Sequence, residues 1–426
     1  MKHQSLHTRR EFLRKGFALA AVGFTVPSFI TRTVFALDAR AAVTGPARTD
    51  NRTLVIVQLG GGNDGLNTVI PFVQDEYYRK RPNLGIAKGE ILRLNDQVGL
   101  HPGLKNFKAL YDEGRLAVIQ GVGYPNPNRS HFRSMEIWQT AADSDRFEKY
   151  GWVGRYFDNQ CPGCADNPNV GVAIGGQVPE SFRSKTPMGI ALTDPDSFQW
   201  NPSPTGVVPS KSEMQLYQQL NRAPTMAGMA PSAGGNLDFL SRTAMNAQVS
   251  SDKIREVARK YHPTIEYPNN YLANSLKLVA QMIAGGLGTK VFYVSQSGYD
   301  THANQRGDHQ RLLTEFADSM LAFQRDIQKQ GNADRVAVMC FSEFGRRVQE
   351  NASGGTDHGC AAPMFVFGAK IKGGVHGAHP SLTELDHGDL KFHTDFRSVY
   401  ATLLENWLGA KSVPVLGRAF PKLAFV

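Results

Sequence analysis

The apolar positions of this chain fall into two alternating patterns. Short runs rich in β-branched residues recur at Thr53–Leu59, Leu116–Gln120, Lys290–Ser295, Arg335–Phe341 and Met364–Phe367. Runs this short and continuous predict strands buried on both faces, as in a parallel sheet. Between them, apolar residues recur at spacings of three and four. Gly103–Gly114 carries Leu104, Phe107, Leu110 and Tyr111 and closes on a glycine, and Arg129–Ala142 follows the second strand. Gln305–Gln330 places Leu312, Phe316, Met320, Phe323 and Ile327 on one stripe. Asp395–Trp407 does the same with Phe396, Val399, Leu403 and Trp407, behind Asp395 as N-cap. These spacings predict amphipathic helices. Strand–helix alternation predicts an α/β fold with a mainly parallel central sheet flanked by helices.

The pattern loosens in the middle of the chain. Residues 160–235 are rich in Pro, Gly, Ser and Asn, with short ordered candidates such as Gly189–Leu192. Helices are expected at about 236–260 and 270–286. Together these predict a helical and loop elaboration over about 160–288, a cap or insertion within one domain covering 52–426.

The amino end reads differently. Thr8-Arg9-Arg10-Glu11-Phe12-Leu13 precedes the apolar segment Gly16–Ile30, which Gly23 and Pro27 interrupt. That segment is too short to span a bilayer. Val34-Phe35-Ala36 or Ala39-Arg40-Ala41 can precede a cut. The set predicts a cleavable twin-arginine (Tat) signal over residues 1–41; the rival is a basic helix that happens to contain Arg-Arg. The signal implies the Tat translocase as export partner and a periplasmic or otherwise extracytoplasmic home in a bacterium. It leaves no stable membrane span after cleavage. Tat cargo folds before export, which suits a protein that must be loaded with a metal.

Charge excludes one class of partner. The formal charge is +9, but seven Lys/Arg against two Asp/Glu fall before Val43, so the rest carries only +4. That excess forms no basic block, and nucleic acid is not an expected partner. Of the four cysteines, Cys161 and Cys164 form a C-x-x-C pair in a loop-like setting, favouring a local disulfide over a redox or metal role.

Candidate chemistry collects at strand ends. After the first strand comes Gly62-Asn63-Asp64-Gly65, after the third Tyr299-Asp300-Thr301-His302, after the fourth Ser342-Glu343-Phe344-Gly345-Arg346-Arg347. Ligands of open α/β sheets bind at the carboxyl ends of strands, so these clusters point to one composite site. A fourth cluster, Gly355-Thr356-Asp357-His358-Gly359, precedes a strand. Carboxylates and imidazoles are the ligand set of divalent cations: Zn, Mn, Mg or Ca. The metal candidates are Asp64, Asp300, His302, Glu343, Asp357 and His358. Folding alone offers rival roles: Asp64 in a glycine turn, Asp300 or His302 as helix cap, Glu343 paired with Arg346 or Arg347. His358 is least readily explained that way. A nucleophile candidate, Ser130, lies in Asn126-Pro127-Asn128-Arg129-Ser130-His131-Phe132 at a helix start, where anions bind well. Its rival role is an ordinary N-cap. Arg129, Arg133 or Arg346 could clamp an oxyanion, and His131 joins Arg129, Ser130 and Arg346 among the catalytic candidates. The absence of Gly-x-Ser-x-Gly argues against a serine esterase.

These clusters, in this order, resemble the domain-of-unknown-function family numbered fifteen hundred and one, grouped with the alkaline phosphatase-like superfamily. The resemblance covers essentially everything after the signal and implies an alkaline phosphatase-like α/β fold. It implies one or two metals at the sheet's carboxyl edge, with Asp64, Asp300, His302 and His358 as ligands and Ser130 as nucleophile. The chain departs from the superfamily in three ways. Phe344 stands where the superfamily has a histidine ligand, Asp300 and His302 are closer than the usual Asp-x-x-x-His, and no Cys-x-Pro-x-Arg occurs. The expected function is an exported metal-dependent hydrolase of phosphate or sulfate esters. The expected partner is a small anionic ester or envelope component. The rivals are a scaffold that has lost hydrolysis and binds a ligand or an envelope partner, and a redox or electron-carrier-associated protein using Cys161 and Cys164.

Overall fold

The computed structural model of the chain describes residues 51–161, 164, 167, 169–185, 188–196, 212 and 250–426. The signal segment lies outside the described residues. So does most of the helix expected at 236–260, of which residues 250–260 are helical.

Among the described residues, nine strands form the central sheet: β1 (Thr53–Gly60), β2 (Leu116–Gly123), β3 (Gly171–Ile174), β4 (Ile190–Leu192) and β5 (Val291–Ser297). They are joined by β6 (Val336–Ser342), β7 (Ala362–Phe367), β8 (Gly374–His376) and β9 (Thr394–Asp395). The order is β8-β2-β7-β6-β1-β5-β3-β4, with β9 also paired to β2. Only β7 runs antiparallel to its neighbours. The labelled helices are α1 (Gly65–Thr68), α2 (Lys105–Asp112), α3 (His131–Thr140), α4 (Trp152–Gln160), α5 (Tyr271–Ala284), α6 (Gln305–Lys329) and α7 (Phe396–Thr402). The last runs on as a π-helix over Leu403–Trp407, and Asp395 caps its start by accepting from Arg397 N.

The continuous apolar runs are explained by two covered faces. In β1, Val55, Val57 and Leu59 join one core, while Leu54 and Ile56 join the other. In β6, Val336, Val338 and Cys340 fall on the first side and Ala337, Met339 and Phe341 on the second. Side chains alternate across a strand, so helices must seal both sides. Phe107 of α2, Leu276 of α5 and Phe316 of α6 cover the first. Trp138 of α3, Trp152 of α4 and Tyr400 of α7 cover the second.

Much of the expected cap or insertion lies outside the described residues. Its described strands, β3 and β4, extend the sheet beside β5, and α5 packs on the first face. The reason lies in composition: Gly171–Ile174 and Ile190–Leu192 are short but wholly or mostly buried, and they complete an edge. Cys161 and Cys164 are joined as a disulfide. Among the described residues, no helix is long and apolar enough to cross a membrane.

Strand register places the site. Gly60 of β1 is level with Ser297 of β5, and Leu59 with Ser342 of β6. The loops that follow therefore open together. Gly61 (φ +120°) and Gly62 (φ +74°) make this possible, because a Cβ would stand 2.4 Å from Asp300 N at the first and 2.3 Å from the Phe344 ring at the second. A small antiparallel hairpin, Arg346–Glu350 with Thr356–His358, pairs Arg346 with His358 and brings the fourth cluster to the same edge.

Candidate metal centre

Three histidines meet at Asp300, and each is held from behind. His358 lies at the end of the hairpin, and its Nδ1 is 2.9 Å from the carbonyl oxygen of Arg129. A carbonyl only accepts, so Nδ1 carries the proton. His131, the first residue of α3, places Nδ1 2.8 Å from Glu343 Oε1. His302 places Nδ1 3.3 Å from Asp357 Oδ1. Anchoring through Nδ1 turns each Nε2 inward as a lone pair.

Those inward atoms converge. The Nε2 atoms of His302 and His358 are 2.9 Å apart, and each is 3.1 Å from Asp300 Oδ1. His131 Nε2 is 3.4 Å from Asp300 Oδ2 and is buried with no hydrogen-bond partner. His131, Asp300 and His358 offer ligand atoms that all lie within 4.8 Å of one another. Two nitrogens at hydrogen-bond distance cannot both carry a proton along that line. With the proton of each neutral ring on Nδ1, the two Nε2 lone pairs face each other and a carboxylate, an arrangement that an added proton or a metal cation relieves. The donors are those of a first-row dication site. Burial raises the Asp300 carboxyl, but the Arg346 guanidinium, by hydrogen bond and by charge, outweighs it and holds it at about 2. Asp300 is thus an anion at neutral pH.

Glu343 is 2 % exposed and also accepts from Gly61 N at 2.8 Å and Ser342 Oγ at 3.1 Å. It holds His131 rather than pairing with Arg346. Phe344 packs its ring 4.9 Å from His131 and 4.7 Å from His358, a wall that fixes both imidazoles. The residue that cannot ligate instead positions two that can.

The arginines are committed elsewhere. Arg346 is buried and donates to the carbonyls of Gly62 (2.7 Å), Thr356 (2.8 Å), Tyr299 (3.0 Å) and Gly61, and to Asp300 at 2.7 Å. It ties the strand-end loops together and has little left for an anion. Arg129 pairs with buried Asp389, which also accepts from Cys360 Sγ at 3.1 Å. Ser130 occupies the N-cap position of α3 without making the side-chain capping bond, and it is exposed. Its chain neighbours, the Arg129 carbonyl and the His131 ring, both serve the cluster.

Residues 51–407 match the family described as Protein of unknown function (DUF1501). The chain belongs to this family. The DUF1501 match spans Asp64 through His358, so every candidate site residue falls inside it. No curated protein matches in sequence. Solved structures with similarity include the PsFucS1 sulfatase from Pseudoalteromonas sp., at 11% identity and TM-score 0.36, covering 86% of this chain and 68% of that one. Alkaline phosphatase from the Antarctic bacterium TAB5 is 10% identical with TM-score 0.31, covering 75% and 92%. The C-terminal periplasmic domain of EcEptC from Escherichia coli, in complex with Zn, is 10% identical with TM-score 0.33, covering 75% and 74%.

In this DUF1501 chain Asp64 stands behind the cluster and is not one of its three close donors. It is fully buried, pairs with Arg81 at 2.5 Å, and caps α1 by accepting from Asn67 N at 3.3 Å. Burial pushes its carboxyl up, and the Arg81 guanidinium more than offsets this, so the net shift is downward. Gln305 donates to Asp64 through Nε2, while its Oε1 accepts from Thr301 at 3.0 Å and Thr356 at 2.6 Å. Thr301 separates Asp300 from His302, and Thr356 lies two residues before His358. Arg81 continues the network to the carbonyls of Val348 (3.0 Å) and Arg347 (2.9 Å). Asp64, Gln305 and Arg81 therefore brace both ligand-bearing loops. Neither Asp300 nor His302 caps α6, whose N-cap position is Asn304.

Sequence reasoning missed Arg81 and Asp389. Each is a charged residue without a motif around it, and burial alone reveals its role.

Proposed function

We propose that this protein is an exported, metal-dependent hydrolase of phosphate or sulfate esters, with its metal at the His131–Asp300–His358 cluster. The convergence of Nδ1-anchored imidazoles on an ionised carboxylate carries this reading. His131, Asp300 and His358 hold the ion, and His302 is placed to contribute beside them. A dication held there would supply Lewis-acid polarisation of a phosphoryl or sulfuryl oxygen and offset its negative charge. Glu343, Asp357 and the Arg129 carbonyl fix the imidazole tautomers; Asp64 acts through Gln305. Ser130 supplies the attacking hydroxyl at the exposed start of α3, where the free N–H groups of the first turn favour anionic ester oxygens. The twin-arginine leader, which lies outside the described residues, supports a working place beyond the bacterial cytoplasm.

A second reading rests on the arginines. Among the described residues, Arg129 and Arg346 are committed to Asp389 and to backbone carbonyls, so neither stands ready to take up developing charge, as a scaffold that binds an anionic ester without cleaving it would allow. Assay of metal-loaded protein against phosphate and sulfate mono- and diesters separates the two. The hydrolase reading expects turnover that is lost in Ser130→Ala and in Asp300→Ala. Saturable ester binding without turnover favours the scaffold, and turnover surviving both substitutions places the site elsewhere.

A further inference from the structure

An ester held at the cluster needs room for the group it esterifies. A cleft of about 490 Å³ opens beside it, with His131 and Glu343 in its wall, a size that suits a small ligand. Gln58 and Gln139 also line it. Gln58 Oε1 accepts from Gln139 Nε2 at 3.2 Å and from the Tyr293 hydroxyl, which fixes the amide and leaves Nε2 as the donor it offers. Glu136 and Glu180 line the cleft as well, each braced by an arginine: Arg133 at 2.9 Å and Arg183 at 3.1 Å. Burial raises the Glu180 carboxyl, Arg183 opposes the rise, and the Glu136 charge adds to it, so the two carboxylates sense each other. Because arginines balance both, the cleft does not call for a cationic ligand. It offers acceptors held in place.

Phe132 completes the wall. It follows His131 in α3 and is 91% exposed. An aromatic ring at the rim of a polar cleft offers a ligand an apolar face beside the hydrogen-bonding groups.

We propose that this cleft is a sugar-ring subsite, so that the ester handled at the cluster is a carbohydrate phosphate or sulfate. The inference rests on the ester-hydrolase reading of the cluster. Vicinal hydroxyls both donate and accept, which matches a fixed amide donor flanked by two braced carboxylates. The C–H face of a sugar ring suits the electron-rich face of Phe132. An alkyl or aryl group would instead strip water from Gln58, Gln177, Glu136 and Glu180 and return no hydrogen bonds, a cost for each group.

The test compares galactose and glucose phosphates and sulfates with para-nitrophenyl phosphate and sulfate, and adds neutral trisaccharides (maltotriose, laminaritriose and triacetylchitotriose), on the metal-loaded full chain. Phe132 and Gln177 are exposed, so Phe132→Ala and Gln177→Ala should leave thermal unfolding unchanged. Phe132→Ala is expected to weaken sugar-ester binding roughly five- to tenfold while sparing the para-nitrophenyl esters, with Gln177→Ala acting in the same direction. Equal binding of both ester kinds, or sugar-ester binding untouched by both substitutions, overturns the subsite. If no ester turns over but a trisaccharide binds and Phe132→Ala releases it, the subsite stands and the hydrolase reading falls. Turnover of aryl esters with no sugar bound overturns the subsite alone.

Discussion

The Nε2 atoms of His302 and His358 lie 2.9 Å apart, and each stands 3.1 Å from the same oxygen of Asp300. Three acceptor-type atoms brought this close, with each ring pinned through its other nitrogen, are stable only with positive charge among them. Arg346 supplies part of it from 2.7 Å away. On the proposed reading, a dication would supply the rest.

The pinning residues should matter nearly as much as the ligands. Glu343→Gln keeps the shape but weakens the acceptor at His131 Nδ1. Loss of such a partner costs about 10- to 100-fold in metal affinity. Chelator competition on the purified variant is expected to show a fall in that range, with the fold retained by circular dichroism. Wild-type affinity would mean that His131 is not a ligand.

Arg81 and Asp64 form a fully buried ion pair at 2.5 Å. Removing one partner leaves a buried charge, so Arg81→Met is expected to lower unfolding free energy by about 3–5 kcal/mol in urea titration. Adding Asp64→Asn removes the stranded charge and should recover part of that loss. Additive losses would show that the two residues do not act as a pair.

Acid sensitivity should trace to histidines outside the cluster. Burial holds His309 down at about 4 from an ordinary 6.5, with Asp64 opposing only in part, and burial holds His101 at about 3. Between those values and 6.5 the unfolded chain binds protons that the folded chain refuses. Stability is therefore full above pH 6.5 and falls as pH drops toward 4, by about 3 kcal/mol for His309 alone. His309 Nε2 lies 2.9 Å from Asn63 Oδ1, and His309→Gln, which can donate to the same oxygen, should flatten this slope between pH 6.5 and 4. An unchanged slope would remove His309 as its source.

Much of this architecture was legible in the sequence because the apolar runs are long enough to declare themselves. Thr53–Gly60, Val291–Ser297 and Val336–Ser342 are strands close to where their β-branched residues begin and end. The meeting of Asp300, His302 and His358 was legible from polar clusters at strand ends. What stayed hidden depends on partners distant in sequence. Arg346 looks like an anion clamp until four carbonyls from three loops are found around it. Asp64 looks like a ligand until Arg81 and Gln305 close on it. The joining of β3 and β4 to the sheet edge was obscured by their shortness, since a run of three or four apolar residues carries almost no periodicity.

The most direct test is the metal content of the purified mature protein. Elemental analysis should find about one divalent ion per chain, lost in His358→Ala and in Asp300→Ala while both variants stay folded. Folded wild-type protein that takes up no divalent ion, even after incubation with Zn²⁺ or Mn²⁺, would contradict the metal centre and the function built on it.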